Sequence, residues 1–372
     1  MRTMTSPNEE DANVWPDKLL HPSAARAWIA SALPGAGQVL GPIQILQAKH
    51  WGVTASFAVT GEASADGRAQ HGREVIFKAA ARGMFPAAPQ VAEALARCVP
   101  GAVPELLAWE RRDDLTFTLF APFEGQPVSA LGELPPLLEV ARTLAGIQSA
   151  FATLPSSETQ ELPRMLLSHL PELHDLLIRD VRDRHLACWH GEGSEMAEQF
   201  ALPLDDLLPR LEAVRPLVAR WTEELAAGGW PDTIDHVDLH WDNAVVRPDG
   251  RMLIFDWEEA VISCPFFSLD RLLNDARELD LGEAAAWAAP PAGTPLYTPS
   301  ERALRDAYLD ALPWGTRAAR ERACTLALCL APIKTAYEGM RFAEALGYAE
   351  GTPFVTAWAL ARALPRWAEA SQ

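Results

Sequence analysis

The order in which two hydrophobic periodicities occur constrains this chain more than any other feature. The partly alternating, β-branched segments come first: "IQILQAKHWGVTASFAVTGE", "REVIFKAA" and "VPELLAWERRDDLTFTLFAPFEG" read as strands. Among them only "AAPQVAEALARC", opened by Pro89, reads as a helix. After Gly125 apolar residues recur at helical spacing, in "ELPPLLEVARTLAGIQSAFATL", "RMLLSHLPELHDLLIRDV", "LDDLLPRLEAVRPLVARWTEEL" and "ERACTLALCLAPIKTAYEGMRFAEAL". Strand and helix never alternate as a parallel sheet requires, so the expected class is α+β in two lobes. The boundaries read as an extension over 1–41 carrying a short helix (Ser23–Leu33), a sheet lobe over 42–122, and a larger helical lobe over 123–372. The first dozen residues read as disordered, "SADGRAQHG" as a polar turn, and the Ala/Pro-rich stretch Gly282–Pro299 as a loop or lid.

At 372 residues with 49% apolar content the chain can build two substantial cores. Its formal charge of −18 argues against nucleic-acid binding, which needs basic patches to neutralise phosphate. Such a charge serves solubility and also suits a cationic small-molecule partner. The cysteines (Cys98, Cys188, Cys264, Cys324, Cys329) are scattered without a CxxC pair, as expected of reduced thiols in a cytoplasmic protein. The start, "MRTMTSPNEEDANVW", has no apolar signal core, and "ACTLALCLAPI" is too short to span a bilayer, so no membrane association is expected.

The chemistry concentrates in "IDHVDLHWDN" (Ile234–Asn243), followed by "AVVRPDGRMLIFDW". Pro248-Asp249-Gly250 is a strong turn signal between two short apolar runs. A two-residue loop at Asp249-Gly250 would set Val246 opposite Leu253, Val245 opposite Ile254 and Asn243 opposite Asp256. Paired residues sit about 4.5–5.5 Å apart, so an amide oxygen and a carboxylate would meet at the open end. That is a seat for a hard cation such as Mg²⁺, next to Asp238 as a proton acceptor. In this reading His236 braces the loop. A second reading places His236, Asp238 and His240 on one face of a strand as Zn²⁺ ligands of a hydrolase, since alternate strand residues point the same way. It leaves Asn243 and Asp256 without a role. A third treats the acids as surface turn caps.

"HVDLHWDN" followed by "LIFDW" resembles the catalytic loop and metal segment of the aminoglycoside phosphotransferase family, relatives of the protein kinases. The family form is close to HGDLHPGN followed by IDW, matched at His236, Asp238, Leu239, His240, Asn243, Asp256 and Trp257. Val237 stands for the usual Gly, and Trp241-Asp242 for Pro-Gly. The resemblance covers about residues 40–345. It implies a two-lobed protein-kinase-like fold, ATP (or GTP) and Mg²⁺ as cofactors, Asp238 as catalytic base, and Asn243 and Asp256 as metal ligands. His240 would lie near the γ-phosphate or serve a loop hydrogen bond. In "CPFFSLDRLL", Ser268 occupies the place where the family usually has an acid bracing the metal segment, and Asp270 follows two positions later.

The first lobe offers matching parts. Lys78 in "EVIFKAA" would hold the α/β-phosphates, with Glu93 in the internal helix to steady it; alone, each reads as a solvated residue. The phosphate loop "KHWGVTASF" has a single glycine, Gly52, so the N–H groups of Val53, Thr54 and Ala55, with the Thr54 and Ser56 hydroxyls, would cradle phosphate. In "FAPFEG" the carbonyl of Ala121 and the N–H of Phe123 face one edge, where adenine could pair; an ordinary edge strand reads the same.

The implied reaction is transfer of the γ-phosphoryl group of ATP to a hydroxyl on a small molecule: an aminoglycoside, a sugar or an amino alcohol. Asp175, Asp180, Asp183, Glu338 and Arg341 are the candidate acceptor contacts. The rival is a catalytically silent, kinase-like nucleotide-binding protein, favoured by the glycine-poor loop and by Ser268. The joint presence of Asp238, Asn243 and Asp256 favours the enzyme.

Overall fold

The computed structural model describes residues 22–33, 36–49, 51–61, 73–81, 83–112, 114–188, 204–283, 297–345, 360, 363–364 and 366–367. The expectations for the first dozen residues and for "SADGRAQHG", and most of that for Gly282–Pro299, lie outside them. The chain is α+β and divides into two compact units, Met1–Glu124 and Gly125–Gln372.

In the first unit α1 (Pro22–Ala32) precedes β1 (Ala36–Lys49), β2 (Gly52–Gly61) and β3 (Arg73–Ala81). Then come α2 (Ala88–Cys98), β4 (Leu106–Arg112) and β5 (Leu115–Phe120). The strands form one antiparallel sheet in the order β1-β2-β3-β5-β4. Strand periodicity sends Val53, Ala55, Phe57, Val75, Phe77, Ala79, Phe117 and Leu119 to one face. There they pack with Ala25, Trp28 and Ile29 of α1, so the helix assigned to an extension is part of this core. The rings of Trp28, Phe57, Phe77 and Phe117 meet at centroid distances of 5.4–5.8 Å in tilted or edge contacts. Burying each contributes about 1.5–3 kcal/mol. The Trp28 indole N–H is satisfied by Glu110 at 2.6 Å.

The second unit begins with β6 (Gln126–Pro127), α3 (Leu134–Phe151), α4 (Leu170–Cys188), α5 (Leu204–Ala213) and α6 (Arg215–Ala227). After them come β7 (Thr233–Asp235), β8 (Ala244–Val246), β9 (Met252–Ile254) and β10 (Val261–Ser263). Then follow α7 (Leu269–Leu281), α8 (Pro299–Ala311) and α9 (Arg317–Ala345). Two small sheets, β6-β8-β9 and β10-β7, carry the segment that resembles the catalytic loop. A capping box at Thr298 and Glu301 starts α8. Glu301 also pairs with Arg277 at 2.7 Å, tying α8 to α7. In α9, Pro332 cannot donate to the carbonyl four residues back. That orphaned carbonyl, Leu328 O, accepts instead from Arg366 at 2.8 Å, and Cys329 O accepts from the Trp367 indole at 2.6 Å. The hydrogen bond that Pro332 leaves unmade within the continuous helix and the docking of Arg366 and Trp367 are therefore one feature.

Candidate active site

The β8–β9 hairpin differs from its sequence-based register by one residue. Val246 faces Met252, Val245 faces Leu253 and Ala244 faces Ile254. The loop is three residues long: Gly250 N–H donates to Arg247 O (2.9 Å), Arg247 N–H to Arg251 O (2.8 Å), and Gly250 takes φ +81°. A turn closed by a left-handed glycine accounts for the extra loop residue. Asn243 is thus opposite Phe255, whose N–H donates to Asn243 O at 2.9 Å, and Asp256 is the next residue along. A one-residue shift would ordinarily send Asp256 to the other face. Here Asp256 adopts φ +67°, ψ +47°, a left-handed kink that ends the strand and starts the short turn Trp257–Glu259.

The loop before the hairpin is fastened at several points. His236 is fully buried, with Nε2 2.8 Å from Phe255 O and its ring 4.4 Å from that of Trp257. Burial holds its pKa below the ordinary histidine range, against the pull of Phe255 O, Asp256 and Asp238. Asp238 N–H donates to His236 O (2.8 Å), and the Asn243 side-chain amide N–H donates to Asp238 O (2.9 Å). This contact assigns Nδ2 and leaves Asn243 Oδ1 as the oxygen able to meet a cation. Trp241 N–H donates to Asp275 Oδ2 at 2.7 Å. Burial pushes the Asp275 carboxyl up to about 8, with Trp241 N–H opposing the shift.

Val237 and Asp256 are the non-glycine residues with positive φ among those described, at +69° and +67°. A β-branched side chain in this region is unfavourable by roughly 1–3 kcal/mol and persists where the surroundings over-determine it. Such strain clusters at functional sites.

Asp238 is partly exposed, its Oδ1 paired with Arg271 of α7 and its Oδ2 3.9 Å from His240 Nε2. His240 Nδ1 lies 3.4 Å from Asp242. Nearby, Glu259 is pushed up to about 7 by burial and by the negative charges of Asp238 and Glu338. The strand needed for the zinc reading does not form: β7 ends at Asp235, and His236 Nε2 is engaged by Phe255 O. No set of three or more His, Cys, Asp or Glu able to hold a metal occurs among the described residues.

A family model described as "Phosphotransferase enzyme family" matches residues 69–321, a span that includes the loop and hairpin. The chain belongs to the phosphotransferase enzyme family. Solved structures with a similar fold include an ethanolamine kinase of Plasmodium vivax (9% identity, TM-score 0.52, covering 89% of this chain and 81% of that one). A spectinomycin phosphotransferase, solved with ADP and spectinomycin, gives 10% identity and TM-score 0.52 over 93% of this chain and 99% of that one. A choline kinase of Cryptosporidium parvum gives 12% identity and TM-score 0.52 over 94% and 95%. At these identities the likeness is one of fold. No curated protein matches the chain by sequence.

Within this phosphotransferase the remaining sequence candidates fall as follows. In the first unit Lys78 shares a ladder row with Thr54, Thr118 and Trp109, on the face opposite the aromatic core. Glu93 of α2 accepts the Trp109 indole N–H at 2.7 Å, which brings it to that same face. Gly52 starts β2, and a Cβ there would stand 2.9 Å from Ala79 O. Val53, Thr54 and Ala55 pair in continuous register with β3, whereas their pairing with β1 shifts by one residue between Thr54–Gln47 and Ala55–Ile45. Ala121 and Phe123 follow β5 in irregular chain, where Ala121 N–H donates to Glu105 O at 2.9 Å. In the second unit Asp175 pairs with Arg215 at 2.6 Å, Asp180 is buried, Asp183 is exposed, and Arg341 lies 6.0 Å from the Tyr337 ring. The charges of Glu338 and Asp238 both act on Glu259, which places Glu338 in the electrostatic surroundings of the loop.

The structure gives Ser268 the role that the sequence left open, and brings in Gln148 and Lys334, which the sequence reading did not single out. Ser268 Oγ donates to Asp235 Oδ1 (2.7 Å) and accepts from His236 N–H (3.2 Å), so it performs the bracing in which an acid was expected. Asp270 pairs with Arg366 instead. Gln148 Nε2 donates to Ile234 O and Pro265 O at 3.0 and 2.9 Å. Lys334 of α9 is buried, with Nζ 2.9 Å from Asp235 Oδ2 and 2.8 Å from Glu338 Oε1. A signal existed: Gln148 and Lys334 are isolated polar residues in apolar helical runs, and a buried polar group needs a partner.

Proposed function

We propose that the chain transfers the γ-phosphoryl group of ATP, with GTP as an alternative donor, to a hydroxyl of a small molecule. The observation that carries this reading is the set of Asn243–Asp238, Asn243–Phe255 and His236–Phe255 contacts, which tie the loop carrying Asp238 and Asn243 to the strand end just before Asp256. Asp238 orients the acceptor hydroxyl and takes its proton; Arg271 beside it holds the carboxylate in place. For a loose transition state, positioning and charge stabilisation outweigh base strength. Asn243 Oδ1 and the Asp256 carboxylate are a hard-oxygen donor set of the kind Mg²⁺ accepts, and they would hold it. When bound, the ion neutralises phosphate charge. In this reading Lys78, with Glu93, grips the α/β-phosphates, Gly52 and Thr54 serve the phosphate loop, Ala121 and Phe123 receive adenine, and His240 contacts the γ-phosphate.

An acceptor bearing an amine suits the net charge of −18 and the acids Glu259 and Glu338 near Asp238. Of the compounds named with the similar structures, spectinomycin and ethanolamine carry amines and choline a quaternary ammonium, all cationic nitrogens. Four cysteines among the described residues are free thiols, and no described helix is long and apolar enough to cross a membrane. Both features fit a cytoplasmic enzyme.

The test pairs a thermal shift with ATP, with and without Mg²⁺, with ATP consumption over a panel of cationic and neutral alcohols. Wild type should be stabilised by ATP with Mg²⁺ and should consume ATP with at least one acceptor. Asp238→Ala should bind the nucleotide yet lose turnover by about 10²–10⁴-fold. Equal, slow ATP loss by both proteins with every acceptor would favour the silent, nucleotide-binding alternative.

A further inference from the structure

The loop before Asp238 makes its sharpest backbone excursion at Val237, whose φ of +69° suits glycine and not a β-branched residue. Its N–H donates to Asp235 Oδ1 at 3.1 Å, a side-chain-to-backbone contact two residues on that favours a turn. That same oxygen accepts from Ser268 Oγ at 2.7 Å. Asp235 is buried, and its other oxygen meets Lys334 Nζ at 2.9 Å. Lys334 is itself buried and meets Glu338 one turn further along α9. A buried carboxylate or ammonium alone is very unfavourable, so each requires the other here. Burial disfavours the Lys334 charge, but Asp235 and Glu338 outweigh it and hold its pKa above the usual lysine range.

From these contacts we infer that Lys334 is a positioning residue for the reaction proposed above. By fixing the Asp235 carboxylate it holds Val237 in a left-handed conformation and so sets the direction of Asp238. Ser268 donates to the same carboxylate from α7's start, giving the clamp a second anchor. The helix that carries Glu338, a candidate acceptor contact, thereby also fixes the chain that carries the base. This inference rests on the kinase reading for its catalytic consequence, but its structural part does not.

The experiment measures amide hydrogen exchange over residues 235–243 together with ATP turnover, in wild type, Lys334→Met, Ser268→Ala, and each of these combined with Val237→Gly. Lys334→Met should speed exchange in 235–243 by about tenfold or more while leaving α8 unchanged. It should also lower kcat by about 10–100-fold, with the KM for Mg-ATP near wild type. Val237→Gly should restore most of both, because glycine adopts the same φ without needing the clamp. A lysine that merely stabilised the fold would not be rescued by a glycine in the loop. Ser268→Ala creates no unpaired charge and should show a smaller effect of the same kind, so it decides the matter if Lys334→Met does not fold. Unchanged exchange in 235–243, loosening spread over the whole second unit, or no rescue by glycine would overturn the clamp. Wild type that neither binds nor consumes ATP would sink the kinase reading, and the exchange data would still judge the clamp.

Discussion

Gln148 lies on the buried face of α3, among Leu144, Ala145, Ile147 and Phe151, and is itself fully buried. Its amide donates to Ile234 O, Pro265 O and Ser268 Oγ, and its oxygen accepts from Tyr308 OH at 2.6 Å. Three segments distant in sequence, at Ile234, Pro265–Ser268 and Tyr308, are held to α3 by one side chain, including both flanks of the candidate site. Methionine has nearly the same length, is likewise unbranched at Cγ and has about the same helix propensity, so Gln148→Met removes mainly the hydrogen bonds. We expect a stability loss of about 2–4 kcal/mol in urea denaturation, from carbonyls left without partners. A loss below about 1 kcal/mol would mean that water replaces the amide. Asp275 plays a narrower part, accepting from Trp241 N–H. Asp275→Ala should loosen the 240–243 turn and cost about 1–3 kcal/mol, whereas Asp275→Asn retains an acceptor and should cost less.

At the scale of elements, the three-stranded sheet depends on how closely β6 approaches β8. A Cβ on Gly125 would stand 2.8 Å from Val245 Cβ and 3.0 Å from Val246 O. Gly125→Ala must therefore push β6 away from the hairpin that ends in Asn243. The expected cost is about 1–3 kcal/mol, with faster exchange at residues 126–127 and 244–246. Retained wild-type stability and protection would show that the strand yields freely. The same scale explains the register difference in the hairpin. Pro248-Asp249-Gly250 announces a turn, but two- and three-residue loops share that composition. The choice depends on hydrogen bonds across the loop, which residue identity does not specify.

Across the whole molecule, buried titratable groups give stability a two-sided dependence on pH. His174 is fully buried, and burial lowers its pKa to about 4. Its neutral form is thus favoured in the folded state. This contribution is complete above the unfolded value of about 6.5 and is lost as pH falls from there to about 4, by on the order of 3 kcal/mol. Glu259 and Asp275 act in the opposite sense. Burial raises them to about 7 and about 8, so they weaken the fold as pH rises through those values from the ordinary carboxylate range. Stability measured from pH 4 to 7 should therefore be compared between wild type and His174→Leu. The acid-side decline should be shallower in the variant, and identical slopes would exclude His174 as its cause.

The sequence by itself determined the class and order of the parts. Strand and helix periods are local properties, so "EVIFKAA", "LTFTLF" and the long apolar helices could be read where they stand. The motif residues Asp238, Asn243 and Asp256 were legible for a related reason: they are close in sequence and joined by a recognisable turn. Only the tertiary structure decided how the loop is held. Asp235, Ser268, Lys334 and Gln148 meet across separations of up to about 190 residues, and no local pattern encodes which buried polar group will satisfy which. It also decided that α1 belongs to the first unit's core, because burial of Trp28 depends on a sheet face that exists only after β2, β3 and β5 have paired.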